Sequence, residues 1–291
     1  MYEGEKKTPM EKCLSADTVE QYRVRGYHFP VSVLTPERAE IYRRMAEDLH
    51  VSGRDKSVTD DPRISFKLHV AYKWLDEMAH DPLVLDAVED IIGPDILVWS
   101  SALFIKESDD ASFAGWHQDT NYSTLKGPDQ TSIWIALSPS LVKSGCLRVM
   151  PGSHKIGRLA HEETEDMRNI LARQERLIEG VDESKAMNIE LQPGEMSFHH
   201  LAMVHGSARN NSGYRRIGYA VRYIAPHVEP VGRHETAMLA RGEDRYGYYD
   251  LEPRPQANLD SEAVAAFERA VAIRTSNFYE KKAVAATASL S

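Results

Sequence analysis

His117, Asp119 and His205 are the residues of this chain best suited to hold a metal ion. The first two stand in Trp116-His117-Gln118-Asp119. On a strand, residues i and i+2 share a face, so His117 and Asp119 are expected to point one way and Gln118 the other. An imidazole nitrogen and a carboxylate oxygen on one face make two thirds of a facial triad. A second histidine from a distant strand completes it and leaves three coordination positions open. Iron(II) uses such positions to take a chelating 2-oxoacid and O2. By itself the His-x-Asp tripeptide fits equally well a surface histidine beside a solvated aspartate.

The distal segment runs His205-Gly206-Ser207-Ala208-Arg209-Asn210, with Arg216 eleven residues after the histidine. If the two strands are antiparallel neighbours, the Arg216 guanidinium lies near the metal, but one cosubstrate length away. A 2-oxoglutarate whose keto acid end chelates a metal needs a fixed, permanently charged, bidentate partner for its far carboxylate. Ser207 offers a hydrogen bond to the same carboxylate. Taken alone, Arg216 fits as well the pairing of an arginine with a surface acid.

A third segment, GCLRVMPGSHKIG at 145–157, reads as a strand ending in a tight turn, with His154 a turn or packing histidine. Together with Gly115-Trp116-His117-Gln118-Asp119 and HGSARNNSGYRRIGYAVRY at 205–223, it resembles the phytanoyl-CoA dioxygenase family, in order from about Tyr22 to about Pro253. The resemblance implies a double-stranded β-helix of the jelly-roll or cupin type with added helices. It implies Fe(II) held by His117, Asp119 and His205, with 2-oxoglutarate and O2 as cosubstrates. It assigns Arg216 and Ser207 to the 2-oxoglutarate carboxylate, with Lys106 and Thr131 as further cosubstrate contacts. Related halogenases replace the metal carboxylate by a small residue, so Asp119 argues for hydroxylation.

Candidate substrate residues are Trp116, Asn121 and Tyr122 beside the metal strand, His200 before the distal histidine, and Arg222. Arg222 has the strand parity of Arg216. His199 and His200 face opposite ways on a strand, so at most one enters a cavity.

These residues need elements to place them. The first third reads as helical: Ser15 to Gly26, then Thr35-Pro36-Glu37 to about Leu49, Phe66 to Ala79, and Pro82 to Ile92 closed by Gly93-Pro94. Short runs rich in β-branched and aromatic residues follow: 96–105, 131–137, 145–150, 187–191, 195–200, 203–206 and 215–225. Helices followed by many short strands suggest a mainly β fold with packed N-terminal helices and a C-terminal helix. The charged stretch 156–186 looks helical in character and long enough to act as a flap over the barrel; a solvated surface insertion fits it equally. The expected organisation is a loose leader at 1–14, one oxygenase domain at 15–280 and a tail at 281–291. Within the domain, 15–94 is helical, about 95–226 is the β-helix core and 227–280 is a C-terminal extension ending in a helix from 260.

The 291 residues carry 35 basic and 44 acidic side chains, a net charge of -9. That balance excludes electrostatic binding to nucleic acid or an anionic membrane surface. No stretch approaches the roughly 20 apolar residues of a membrane span. Two cysteines, Cys13 and Cys146, and no apolar leader point to the cytoplasm. A small-molecule partner is expected, leaning to a polar or zwitterionic one such as an aminophosphonate or a natural-product intermediate. Arg222 or Lys126 would meet its anion and Tyr122 or Trp116 its ammonium group. Acyl-CoA hydroxylation, or oxidative desaturation or cyclisation, are alternatives on the same scaffold. A zinc hydrolase and a non-catalytic jelly-roll binding module are alternatives of other classes. The sequence gives no sign of oligomeric state.

Overall fold

A computed structural model describes residues 13–51, 66–109, 111–122, 125–171 and 173–288. Helices are α1 (Ala16–Arg25), α2 (Pro36–Val51), α3 (Lys73–Ala79), α4 (Pro82–Ile92) and α5 (Ser261–Ala288). Strands are β1 (Tyr27–Ser32), β2 (Ile96–Lys106), β3 (Ala114–His117), β4 (Leu125–Lys126), β5 (Gln130–Ala136), β6 (Leu147–Val149), β7 (His161–Glu163), β8 (Glu175–Leu177), β9 (Met187–Ile189), β10 (Glu195–His200), β11 (His205–Ser207), β12 (Arg216–Ile224), β13 (Glu229–Pro230), β14 (Thr236–Arg241) and β15 (Asp250–Leu251).

A seven-stranded sheet, ordered β1-β10-β5-β12-β2-β14-β15, faces a four-stranded sheet, ordered β3-β11-β6-β9. This is the expected jelly roll. The period-2 alternation of β5 and β12 explains its layering. Ile133, Ile135, Ile217, Tyr219, Val221 and Tyr223 point outward and join Trp74, Leu75, Met78, Val84 and Val88 of the helices in one buried core. The alternate residues Ser132, Trp134, Arg216, Ala220 and Arg222 border the cavity between the sheets.

The helix ends follow their caps. Ser15 accepts the Thr18 N–H and Asp81 that of Leu83, satisfying donors the first turn leaves free.

Several expectations are corrected. The stretch 156–186 contains no α-helix among its described residues. It forms an antiparallel hairpin, β7 on β8, in which Glu162 and Arg176 pair across the strands. Charge alternation there is cross-strand rather than helical. Phe66 to Ala79 is not one helix: Phe66 makes a β-bridge to Ala102, a short 3-10 turn covers Leu68–Val70, and only then does α3 begin. Strands β1 and β14 extend the large sheet at positions not read as strands. Leu14 is buried and donates its N–H to Asp90, so the leader is anchored by that point; residues 1–12 lie outside the described part. Helix α5 continues to Ala288, into the stretch expected to be a tail.

Candidate metal centre

His117 ends β3, and His205 opens β11 directly opposite it in register. Their ring centroids lie 4.0 Å apart. Each ring is fixed by its own backbone: His117 Nδ1 lies 2.8 Å from Gly115 O and His205 Nδ1 2.9 Å from Met203 O. A carbonyl only accepts, so each Nδ1 carries the proton and each Nε2 presents a lone pair. Those Nε2 atoms stand 3.8 and 4.0 Å from Asp119 Oδ1. All three ligand atoms lie within 4.8 Å of one another and all three residues are buried.

Asp119 reaches this place differently from expectation. It lies just beyond β3, at the start of a 3-10 turn, Asp119–Tyr122, so a turn and not strand parity aims it. Gln118 does point elsewhere: its amide donates to Gly157 O and Ala202 O and accepts the Leu159 N–H. It ties the insertion to the metal loop.

The protonation states suit a cation. Burial, and then the neighbouring His205, push His117 down to about 3. Burial likewise lowers His205, so both imidazoles are neutral. Burial alone would raise Asp119, but the Arg222 guanidinium beside it holds it well below the usual carboxylate range. Two neutral nitrogen donors and one carboxylate oxygen, with the imidazoles oriented by carbonyls, fit a divalent metal with open positions.

The same cavity, about 50 Å³, is bordered by Ser207 and Arg216. Arg216 is not on a neighbouring strand of His205. It lies on the opposing sheet, and its Nη1 donates across the gap to Gly145 O at 3.1 Å and Ser207 Oγ at 3.4 Å. Its guanidinium sits over the Trp134 ring, 5.1 Å from the centroid. Gly218 makes that packing possible, because a Cβ there would fall 1.8 Å from Trp134 Cζ2. Arg216 is buried and its Nε has no hydrogen-bond partner. A buried guanidinium with an unused donor, and no carboxylate partner among the described residues, suits an incoming carboxylate.

Lys106 pairs in register with Arg216 and is fully buried. Its ammonium donates to Ser207 O, Ser207 Oγ and Ala208 O, so it acts behind Ser207 rather than on the cavity surface. Thr131 is also absent from the cavity wall: it accepts the Tyr22 hydroxyl and donates to His199 O, because its parity is opposite to that of Ser132.

The candidate substrate residues scatter. Arg222 borders the cavity, but its partner is the metal carboxylate rather than a free anion site. Trp116 faces a separate groove of about 450 Å³, beneath Arg148. Asn121 is engaged by Arg158, and Lys126 lies exposed on β4. The Tyr122 side chain lies outside the described part. His200 turns away and packs against His154; His199, one residue earlier, enters the cavity with its ring 4.7 Å from that of His205. The parity of β10 holds the signal for choosing His199, since it pairs with Ser132, an inward residue of β5. Ile170 and Leu171 of the insertion were missed: they complete the wall, and no spacing rule marks them.

A family model for phytanoyl-CoA dioxygenase (PhyH) matches residues 8–218. The solved non-heme monooxygenase ThoJ is similar over 91% of this chain and 98% of its own, at 33% identity and TM-score 0.82 in its apo form. Its nickel complex gives 32% identity and TM-score 0.77. A probable alpha-ketoglutarate-dependent hypophosphite dioxygenase of Stutzerimonas stutzeri is 24% identical over 59% of this chain and 62% of its own length. The peroxisomal phytanoyl-CoA dioxygenase of Homo sapiens is 26% identical over 63% of this chain and 50% of its own. The chain thus spans about half to two thirds of these two curated relatives.

Proposed function

The chain belongs to the phytanoyl-CoA dioxygenase family, and on that premise we propose that it is an Fe(II)- and 2-oxoglutarate-dependent dioxygenase. It hydroxylates an unactivated C–H bond of a small organic molecule, with succinate and CO2 as coproducts. The observation that carries this reading is one cavity bordered at one place by His117, Asp119 and His205 and at another by the partnerless Nε of Arg216. A hydrolytic metal site has no use for the second feature. A binding module has no use for two imidazoles and a carboxylate with their ligand atoms converged.

His117, Asp119 and His205 would hold the metal, which with 2-oxoglutarate and O2 supplies the oxidising power. The residues do the rest. Arg216 takes the far carboxylate of the cosubstrate, and Ser207 stands beside it. Lys106 fixes Ser207 and adds a second buried positive charge behind it. Trp134 and Gly218 hold the guanidinium in place. Ile170 and Leu171 exclude water from the metal side.

The insertion at 156–186 contributes Ile170 and Leu171 to the cavity wall, which supports its reading as a flap. The region 15–280 is taken as one oxygenase domain, a view supported by Phe267 of α5 sharing the core of α3 and α4. Free Cys13 and Cys146 support a reducing, cytoplasmic setting. Among the described residues no helix is long and apolar enough to cross a membrane.

The test is anaerobic titration of the iron(II)-loaded protein with 2-oxoglutarate, watching for the weak visible metal-to-ligand charge-transfer band. A band that Arg216→Ala weakens supports the reading. Iron binding without a band removes the cosubstrate and favours the hydrolase.

A further inference from the structure

His199 brings an unused polar ring to the wall of the metal cavity. It is 4% exposed, borders the cavity, and lies with its ring 4.7 Å from that of His205. Its Nδ1 has no hydrogen-bond partner, and among the described residues no protein group bonds its Nε2. An imidazole carries at least one N–H in either tautomer and in its charged form. A buried donor in that condition calls for a ligand, an ion or water.

Its place follows from the large sheet. On β10 it pairs in register with Ser132 of β5, and Ser132 pairs with Arg222 of β12. Cross-strand partners share a face, so the three form one inward row. Two of them already serve the metal carboxylate: the Ser132 hydroxyl and the Arg222 guanidinium both donate to Asp119 Oδ2. His199, the third, stands against His205 instead. Arg216 lies six residues before Arg222 on β12, about 20 Å of strand at about 3.3 Å per residue. The row of His199 is thus at the metal end of the cavity, and the Arg216 backbone is at the other.

The other polar side chains of the wall are accounted for. His117, Asp119 and His205 converge as the metal ligands, and the converged set does not include His199. Ser132 and Arg222 are spent on Asp119, and Arg216 and Ser207 stand together at the far-carboxylate end. The remaining side chains are apolar, apart from the Trp134 ring beneath Arg216. A 2-oxoacid that chelates through its keto oxygen and one carboxylate oxygen brings a second oxygen of that carboxylate into a buried place. Such an oxygen needs a donor. We propose that the ring N–H of His199 donates to the carboxylate beside the keto group, and so positions the metal end of the cosubstrate as Arg216 positions its far end. The inference rests on the oxygenase reading above and gives its cosubstrate a second anchor in the protein.

The probe is 2-oxoglutarate, titrated anaerobically into the full-length iron(II)-loaded protein and its His199→Phe and His199→Gln variants. The charge-transfer band reports both affinity and, at saturation, the electronic state of the chelating end. His199→Phe keeps a ring without an N–H. It should bind 2-oxoglutarate roughly tenfold or more weakly, as loss of a charged hydrogen bond predicts, and its band at saturation should be displaced. His199→Gln restores an N–H and should recover part of both. Arg216→Ala, acting at the far carboxylate, should lower affinity without displacing the band. Cobalt(II) affinity of the two His199 variants should match the wild type. His199→Leu replaces the phenylalanine variant, under the same criteria, if the larger ring does not fold. Wild-type affinity and band position in the variant without an N–H overturn the proposal. So does an equal loss in His199→Gln, which would assign the effect to packing, or a fall in cobalt affinity, which would make His199 a metal ligand. Absence of the band in the wild type would instead strike the oxygenase reading.

Discussion

Arg222 closes on Asp119 with two hydrogen bonds, Nε to Oδ2 at 2.8 Å and Nη2 to Oδ1 at 3.0 Å. Ser132 adds a third, from its hydroxyl to Oδ2 at 3.0 Å. Oδ2 is therefore saturated by the large sheet, and Oδ1 is the oxygen left facing both histidine Nε2 atoms. Arg222 keeps the carboxylate ionised in a buried place and fixes which oxygen is offered to a metal.

Removing it should be felt in the metal site and in the fold. Arg222→Ala is expected to destabilise the metal-free protein by about 3–5 kcal/mol, because a buried carboxylate is left uncompensated. Its cobalt(II) affinity should fall about 10–100-fold, as for other residues that orient metal ligands. Arg222→Lys keeps the charge but loses the fork and should lie between. Cobalt titration by visible absorption, with urea unfolding of each metal-free protein, checks both. Unchanged cobalt affinity in Arg222→Ala would reduce the pair to a structural role.

His205→Ala removes one of the three ligand atoms while leaving β11 paired on both edges with β3 and β6. The fold should persist, with near-normal circular dichroism. Iron-dependent succinate release should vanish and cobalt should no longer give a spectrum of the wild-type type. Retained turnover would take His205 out of the ligand set.

Much of this site is legible in the sequence, for identifiable reasons. His117, Asp119, His205, Ser207 and Arg216 are marked as a set by the resemblance of their motifs to the family; residue type and spacing alone left the His-x-Asp tripeptide and Arg216 equally compatible with a solvated surface. Parity alone correctly points Arg222 inward, but it says nothing of what waits there. Asp119 becomes its partner only when β12 of one sheet crosses above the turn after β3 of the other. Thr131 failed for the converse reason: it sits on a cavity strand with the wrong parity. The hairpin at 161–177 was hidden because its charged pairs, Glu162–Arg176 and Glu163–Arg173, mimic the mixed charge of a solvated helix. Strand β1 is partly exposed, and its pairing with β10 is long-range information.

Arg216→Ala should separate cosubstrate binding from metal binding. A charged hydrogen bond contributes about 1.5–3 kcal/mol, so the 2-oxoglutarate concentration at half-saturation should rise about 10–100-fold. Cobalt affinity should change little, since Arg216 reaches Ser207 and Gly145 and not the ligands. Arg216→Lys should recover only part, because one ammonium cannot grip two carboxylate oxygens in a plane. An unchanged cosubstrate requirement in the alanine variant would assign the anchor elsewhere.

The last prediction concerns the scaffold that closes the large sheet. Lys67 is fully buried; its Nζ donates to Glu252 Oε1 at 2.6 Å and to Thr236 O at 2.9 Å, and His69 Nε2 lies 3.5 Å from Glu252 Oε2. Burial alone would raise the Glu252 carboxyl, but Lys67 and then His69 bring it down to about 2. An unfolded glutamate titrates at about 4.3. The folded value is the lower one, so between the two the native state binds fewer protons than the unfolded state. The stabilisation is fully present above about 4.3 and is lost as pH falls toward about 2. Glu252→Gln lacks this dependence and leaves the Lys67 ammonium without its carboxylate. It should be about 3–5 kcal/mol less stable than wild type at neutral pH, with the gap narrowing steadily below about pH 4. Urea unfolding of both proteins across that range reads the difference directly. A gap that stays constant with pH would mean that Glu252 carries no depressed titration, and that its contribution is packing and not charge.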